Sequence, residues 1–169
     1  MMNNTEALRL RPPHHRVSGR AVWWWTTRSL VVVFPTIATP AVSMIFVDVQ
    51  PARMWLLIVT GTLALLGLLV TVVMPQWRYR VHRWEITDTA VYTSSGWIWQ
   101  EWRVAPMSRV QTVDTARGPL QRLFGLSSVT VTTASAAGPI EISGLDHTVA
   151  TEVADQLTES TEATSGDAT

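Results

Sequence analysis

The chain has 169 residues, of which 47% are hydrophobic and only 15% charged, and its formal net charge is zero. Ordinary soluble domains carry about a quarter of their residues as charged side chains, so this composition assigns part of the chain to a bilayer. Cysteine is absent, which excludes disulfides, thiolate nucleophiles and Cys-ligated zinc.

All 13 basic residues are Arg, and Arg9, Arg11, Arg16, Arg20 and Arg28 precede the first apolar run. Residues 1–28 read as a basic cytoplasmic arm, disordered at its start, with Pro12-Pro13 as a breaker. His14-His15 are adjacent on this arm with no further ligand nearby, so no metal site is expected there. Trp23, Trp24 and Trp25 stand directly before the apolar run. Indole rings settle at the headgroup level, and the triplet reads as an interfacial anchor.

No charge occurs from Ser29 to Val47 or from Met54 to Met74. Each run approaches the length a helix needs to cross about 30 Å of hydrocarbon at about 1.5 Å per residue. Residues 29–75 therefore read as a two-helix transmembrane hairpin. Pro35 and Pro40 fall inside its first span, and Trp55 and Trp77 bracket the second as interface anchors. Gly61, Ala64 and Gly67 offer a small-residue face for close helix approach. Arg78, Arg80 and Arg83 follow the second span, so the positive-inside bias puts both chain ends in the cytoplasm and the 48–53 connection outside. Ala41-Val42-Ser43 has the small-residue pattern of a signal cleavage site. The long basic segment before it and the second span, which would still stop transfer, argue against cleavage.

From Trp77 the apolar pattern changes to period two, predicting a strand through Ile86 that ends at Thr87-Asp88. Further strands are expected over Ala90–Thr93, from Trp97, Trp99 and Trp102, over Arg109–Ala116, over Ser128–Ala134 and over Ile140–Ser143. Gly118-Pro119 breaks the run, and Leu120 to Leu126 reads as one helical turn closed by Gly125. The Ala136-Ala137-Gly138-Pro139 segment makes the last turn. Asp146 caps a final helix with an apolar stripe of Val149, Val153, Ala154 and Leu157. Six short strands with turn signals form an antiparallel sandwich or open barrel, closed by that helix. Residues 161–169 are small, polar and acidic, and are expected to be a disordered tail.

The segment from Ala105-Pro106-Met107-Ser108-Arg109-Val110-Gln111 to Val113 is followed by Gly118-Pro119-Leu120-Gln121-Arg122-Leu123-Phe124-Gly125-Leu126 and Val129-Thr130-Val131-Thr132-Thr133-Ala134. It resembles the bacterial pleckstrin-homology-like (YdbS-like) membrane protein family over residues 77–157. The resemblance implies an α+β fold, with two transmembrane helices before a pleckstrin-homology-like (PH-like) cytoplasmic domain spanning 76–160. It implies envelope-associated roles and no reaction.

His82, His147, Asp114, Glu85 and Glu101 are the titratable candidates for catalysis, and no nucleophile-elbow or phosphate-cradling glycine pattern accompanies them. The chain is read as no enzyme and as needing no cofactor. Residues 76–169 carry seven Arg against eleven acids, which disfavours nucleic acid. Eukaryotic PH domains that hold phosphoinositides use a basic first hairpin loop, and here Thr87-Asp88-Thr89 contains no Lys or Arg. The expectation is a scaffold or protein-interaction module at the inner face of the cytoplasmic membrane, docking another membrane protein or a second copy. The alternative is a module for anionic lipid headgroups. Arg109, Arg117, Arg122, Trp97 and Trp99 are the candidate partner or lipid contacts, and Trp23, Trp24, Trp25, Trp55, Trp77, Arg78 and Arg80 the interface residues.

Overall fold

A computed structural model describes residues 13–135 and 138–166. The first part of the basic arm, Ala136-Ala137 of the last turn and the final residues 167–169 lie outside the described residues. The chain opens with strand β1 (His15–Arg16), helix α1 (Arg20–Ser43) and helix α2 (Gln50–Val81). Strands β2 (Arg83–Ile86), β3 (Ala90–Gly96) and β4 (Gln100–Pro106) follow, then a 3-10 turn over Met107–Arg109. Strand β5 (Val110–Ala116), short helix α3 (Pro119–Leu123), strands β6 (Leu126–Thr133) and β7 (Ile140–Asp146) and helix α4 (His147–Gly166) complete it.

Two antiparallel sheets result, in the orders β1-β2-β3-β4 and β5-β6-β7. Their inner faces meet over Val91, Ala105, Met107, Val110, Val129, Val131, Ile140 and Ile142, all buried. Helix α4 covers one end with Ala150, Val153 and Leu157. Ala150 takes the core position that the sequence assigned to Ala154. The helix also runs past Ser160 to Gly166, where a disordered tail was expected; the Thr161 hydroxyl donates to the Leu157 carbonyl at 2.7 Å as the helix continues. Asp146 caps as expected, accepting from the Thr148 N–H at 3.4 Å and from its hydroxyl at 3.1 Å.

Three expectations are corrected at the junction between helices and sheets. The 78–82 stretch is the last turn of α2 and not a strand, because five residues of alternation fit either period and packing decides between them. Arg78 and His82, one helical turn apart, turn the same face inward. The arm is not loose in its described part: Pro13 and Val17 are buried, and β1 pairs with β2 in the register His15↔Trp84. Most consequentially, Trp24 and Trp25 are not interface anchors. They are 8% and 1% exposed and sit with Ala21 in the core of the sheets.

Gly144 makes that insertion possible. Ser127 pairs with Leu145 and Ser128 with Ser143, so Gly144 is the extra residue of a β-bulge, at φ +82°. The Ser18 N–H donates to its carbonyl at 3.0 Å. A Cβ on Gly144 would lie 2.8 Å from the Ala21 Cβ, leaving no room for a side chain between β7 and α1.

Beyond the domain α1 and α2 pack antiparallel, with Ser29 against Met74 and Val33 and Ile37 around Gly67. A Cβ on Gly67 would come 2.5 Å from Val33 Cγ1, whereas one on Gly61 would meet nothing within 4 Å. Of the expected small-residue face, Gly67 is thus the position of close approach. Among the described residues, α2 is the one helix long and apolar enough to cross a membrane by length and composition. Because α1 gives its first turns to the domain, Ser29–Ser43 reaches only about 22 Å at about 1.5 Å per residue.

Trp25→Ala is expected to cost about 3–5 kcal/mol. Gly144→Val should cost at least about 1–2 kcal/mol from its left-handed backbone alone. Both appear as lowered unfolding midpoints of the detergent-solubilised protein, while Gly61→Ala stays near wild type.

Candidate functional site

The surface with most chemistry is the seam where edge strand β4 faces β7, next to the end of α2. Two clefts of about 230 and 220 Å³ lie along it, and Arg103 lines both. Arg103 donates from Nη1 to the Pro139 carbonyl at 2.8 Å and from Nε to Glu101 Oε1 at 2.7 Å, lacing β4 to the start of β7. The first cleft is lined by Trp102, Pro106, Arg109, Thr133 and Ile140, among others, with no carboxylate in its wall. With Arg103 paired to Glu101, Arg109 beside the Trp102 indole is the cation this cleft offers to a partner segment that is both acidic and apolar.

The second cleft holds Arg78, His82, Glu101, Arg103 and Glu141, two arginines against two carboxylates. It is electrically balanced, which makes it a poor anion pocket. His82 is buried in its wall with both ring nitrogens engaged. Nδ1 lies 3.0 Å from the Arg78 carbonyl, so it carries the proton and donates. Nε2 then accepts from Arg78 Nε at 3.3 Å. The Arg78 guanidinium also lies over the Trp25 ring, 4.8 Å from its centroid, and the Trp25 and His82 rings are 5.2 Å apart. Burial, and then the Arg78 charge, push the His82 pKa down to about 4. This imidazole is a neutral linchpin between helix and sheet, with no nitrogen free to act as a general base.

The remaining candidates are dispersed. Arg109 stands at the mouth of the first cleft, while Arg117 and Arg122 lie beyond the other end of β5, a separation of about 20 Å along the strand. They do not form one patch. Arg117 is committed locally, its Nε donating to the Leu126 carbonyl at 3.0 Å, and Arg122 is exposed on α3. Trp97 is half-buried and Trp99 is 86% exposed, at the β3–β4 loop and not within a strand. Trp23, Trp55, Trp77 and Arg80 are exposed on the helices. Arg78 is instead drawn into the domain.

His14 and His15 diverge: His14 Nδ1 meets Glu85 Oε2 at 2.9 Å, and His15 packs on Trp84 with ring centroids 5.1 Å apart. Among the described residues no three His, Asp or Glu side chains converge to hold a metal. His147 Nδ1 is 3.1 Å from the buried Ser127 hydroxyl and ties α4 to β6. The Arg103 lacing and the Gly144 bulge escaped the sequence reading, though a lone glycine in the Ile140–Asp146 run was the available signal for the bulge.

Because the folded chain keeps His82 neutral down to about pH 4 while an unfolded imidazole titrates near 6.5, the unfolded state binds more protons between those values. Stability therefore falls as pH drops through that window, by on the order of 2 kcal/mol between pH 7 and pH 5. Denaturant unfolding at the two pH values should show this loss, and His82→Gln should remove most of it.

Residues 29–161 match the bacterial PH domain family. Over 82 residues, 48% of this chain and 52% of the relative, the chain is 38% identical to UPF0699 transmembrane protein YdbS of Bacillus subtilis (strain 168). The chain spans about half the length of that curated relative. No solved structure matches. With the two-sheet domain, its closing helix and the apolar α2 in place, and the family matched over most of its length, this chain belongs to the bacterial PH domain family of membrane proteins.

Proposed function

We propose that the chain is a non-catalytic docking module held rigidly at the inner face of the cytoplasmic membrane, with α1 and α2 both crossing the bilayer and both chain ends in the cytoplasm. The observation that carries this reading is the shared core. Trp24 and Trp25 of α1 belong to the same buried core as the sheets, and the half-buried Arg78 at the end of α2 stacks on Trp25. A domain fused this way to its anchor cannot tumble, so every surface on it keeps a fixed height and bearing above the lipid. Confinement to a plane raises the effective concentration of a partner in the same membrane, so a modest contact suffices.

Both helices meet the domain at one end of the hairpin, and the 44–49 connection lies at the other. If α2 spans, the connection is on the side opposite the domain. The short α1 segment reaches across with the help of the exposed Ile45 and Phe46 beyond its end. Its hydroxyls do not stand unpaired toward lipid: Thr36, Thr39 and Ser43 each donate back to a carbonyl three or four residues earlier, at 2.7 to 2.9 Å.

The docking surface in this reading is the first cleft, with Trp102 and Arg109 receiving an acidic, apolar segment of a second copy or another membrane protein. Since the chain lacks cysteine, single cysteines report cleanly. Asp48→Cys should react with an impermeant maleimide added outside intact cells, and Asp155→Cys on α4 only after permeabilisation; the reverse pattern would overturn the orientation. A photocrosslinker at Trp102 should give a discrete adduct in membranes that Arg109→Glu abolishes. An adduct unaffected by Arg109→Glu, or none at all, rejects the cleft as the docking site. Vesicle binding that follows anionic lipid content and disappears with Arg109→Glu would instead support the headgroup reading.

A further inference from the structure

The strands of the first sheet have a near end and a far end relative to the helices. Ala90, at the start of β3, is beside the 3-10 turn that α4 covers, where the Met107 N–H donates to the Thr89 carbonyl at 2.9 Å. Ser94 pairs with Arg83, two residues past the end of α2. The β3–β4 ladder then continues to Gly96↔Gln100. It therefore outruns β2 by two residues, about 7 Å at about 3.4 Å each, on the helix side of the domain. Beyond it only Trp97, Ile98 and Trp99 remain, as the loop.

These three consecutive large apolar residues are presented by a stiff turn. Gly96 has φ +122°, and a Cβ there would lie 1.8 Å from the Trp99 carbonyl oxygen, so the loop folds back tightly on its own stem. Ile98 is 70% exposed and Trp99 still more. Such a cluster at a loop tip is poorly placed in water, and indole at the headgroup level is its favoured setting. The surrounding charge agrees. Glu101, the nearest acid, is neutralised by Arg103, whose Nη2 is 2.7 Å from it, while Arg80 and Trp77 near the end of α2 are exposed at the same side of the domain.

We infer that the Trp97-Ile98-Trp99 tip is a second membrane contact, a wedge seated in the headgroup layer of the leaflet from which α2 emerges. This inference rests on the reading that α2 crosses the bilayer. The partner is the lipid surface itself, recognised by indole amphipathicity and not by a stereospecific pocket. With a stem and a wedge, the domain touches the membrane at two separated points, which sets its tilt.

The test uses the full-length protein in liposomes of phosphatidylethanolamine and phosphatidylglycerol, with an environment-sensitive NBD label at one introduced cysteine. Ile98→Cys should show blue-shifted emission, quenched by lipids spin-labelled near the headgroup. Trp99→Cys provides a second position should the first variant misfold. Asp155→Cys on α4 reports an aqueous site and should stay unquenched. Leu65→Cys in α2 reports the span and should be quenched by lipids labelled deep in the acyl chain. If position 65 is quenched while positions 98 and 99 behave like 155, the wedge is overturned and the span stands. If position 65 is not quenched, the span fails and the wedge with it.

Discussion

The structure depends on one act of packing: the first turns of α1 press Ala21 and Trp25 against a strand that has no side chain at Gly144. Only a bulged glycine lets a helix come that close to the sheet, and the same bulge turns out a carbonyl for the Ser18 N–H. From there the contacts run outward in sequence. Trp25 supports the Arg78 guanidinium, Arg78 holds both nitrogens of His82, and His82 ends α2 at the point where β2 must begin. Helices α1 and α2 and the β-rich domain are consequently one body, with no linker between them.

That continuity changes how the polar residues near the junction are understood. An arginine in the last turn of an apolar helix is ordinarily a headgroup ligand, and Arg80 there is exposed. Arg78, two residues earlier and turned the other way round the helix, is half-buried against Trp25 and His82. The same division separates Trp23, exposed, from Trp24 and Trp25, buried. Neighbours in sequence on a helix point about 100° apart, so a run of identical residues at a boundary serves two environments at once.

Much of the domain was legible from the residues. Five of the six expected strands stand close to where β-branched alternation and glycine or proline breaks put them, and α3 closes at Gly125 with φ +69° as a helix end requires. The sixth, from Trp77, was misread because its alternation is short and its partner face belongs to α1, distant in sequence. The burial of Trp24 and Trp25 was hidden for a related reason. Their hydrophobicity fits an interface and a core equally, and only the close approach allowed by the missing side chain at Gly144 distinguishes them. The candidate contacts were legible as types but not as a constellation: Arg109, Arg117 and Arg122 share a motif in sequence, yet a full strand separates the first from the others.

Strand β1 and the first turn of α1 come from one end of the chain, while β2 to β7 come from beyond both helices. The domain is thus discontinuous, interrupted by the helical hairpin. Residues 13–25 are synthesised before their seats at Trp84, His82 and Gly144, which exist only once both helices and the final strand have been made. That segment is the keystone set last, because the core it completes is built from strands that follow both helices in the chain.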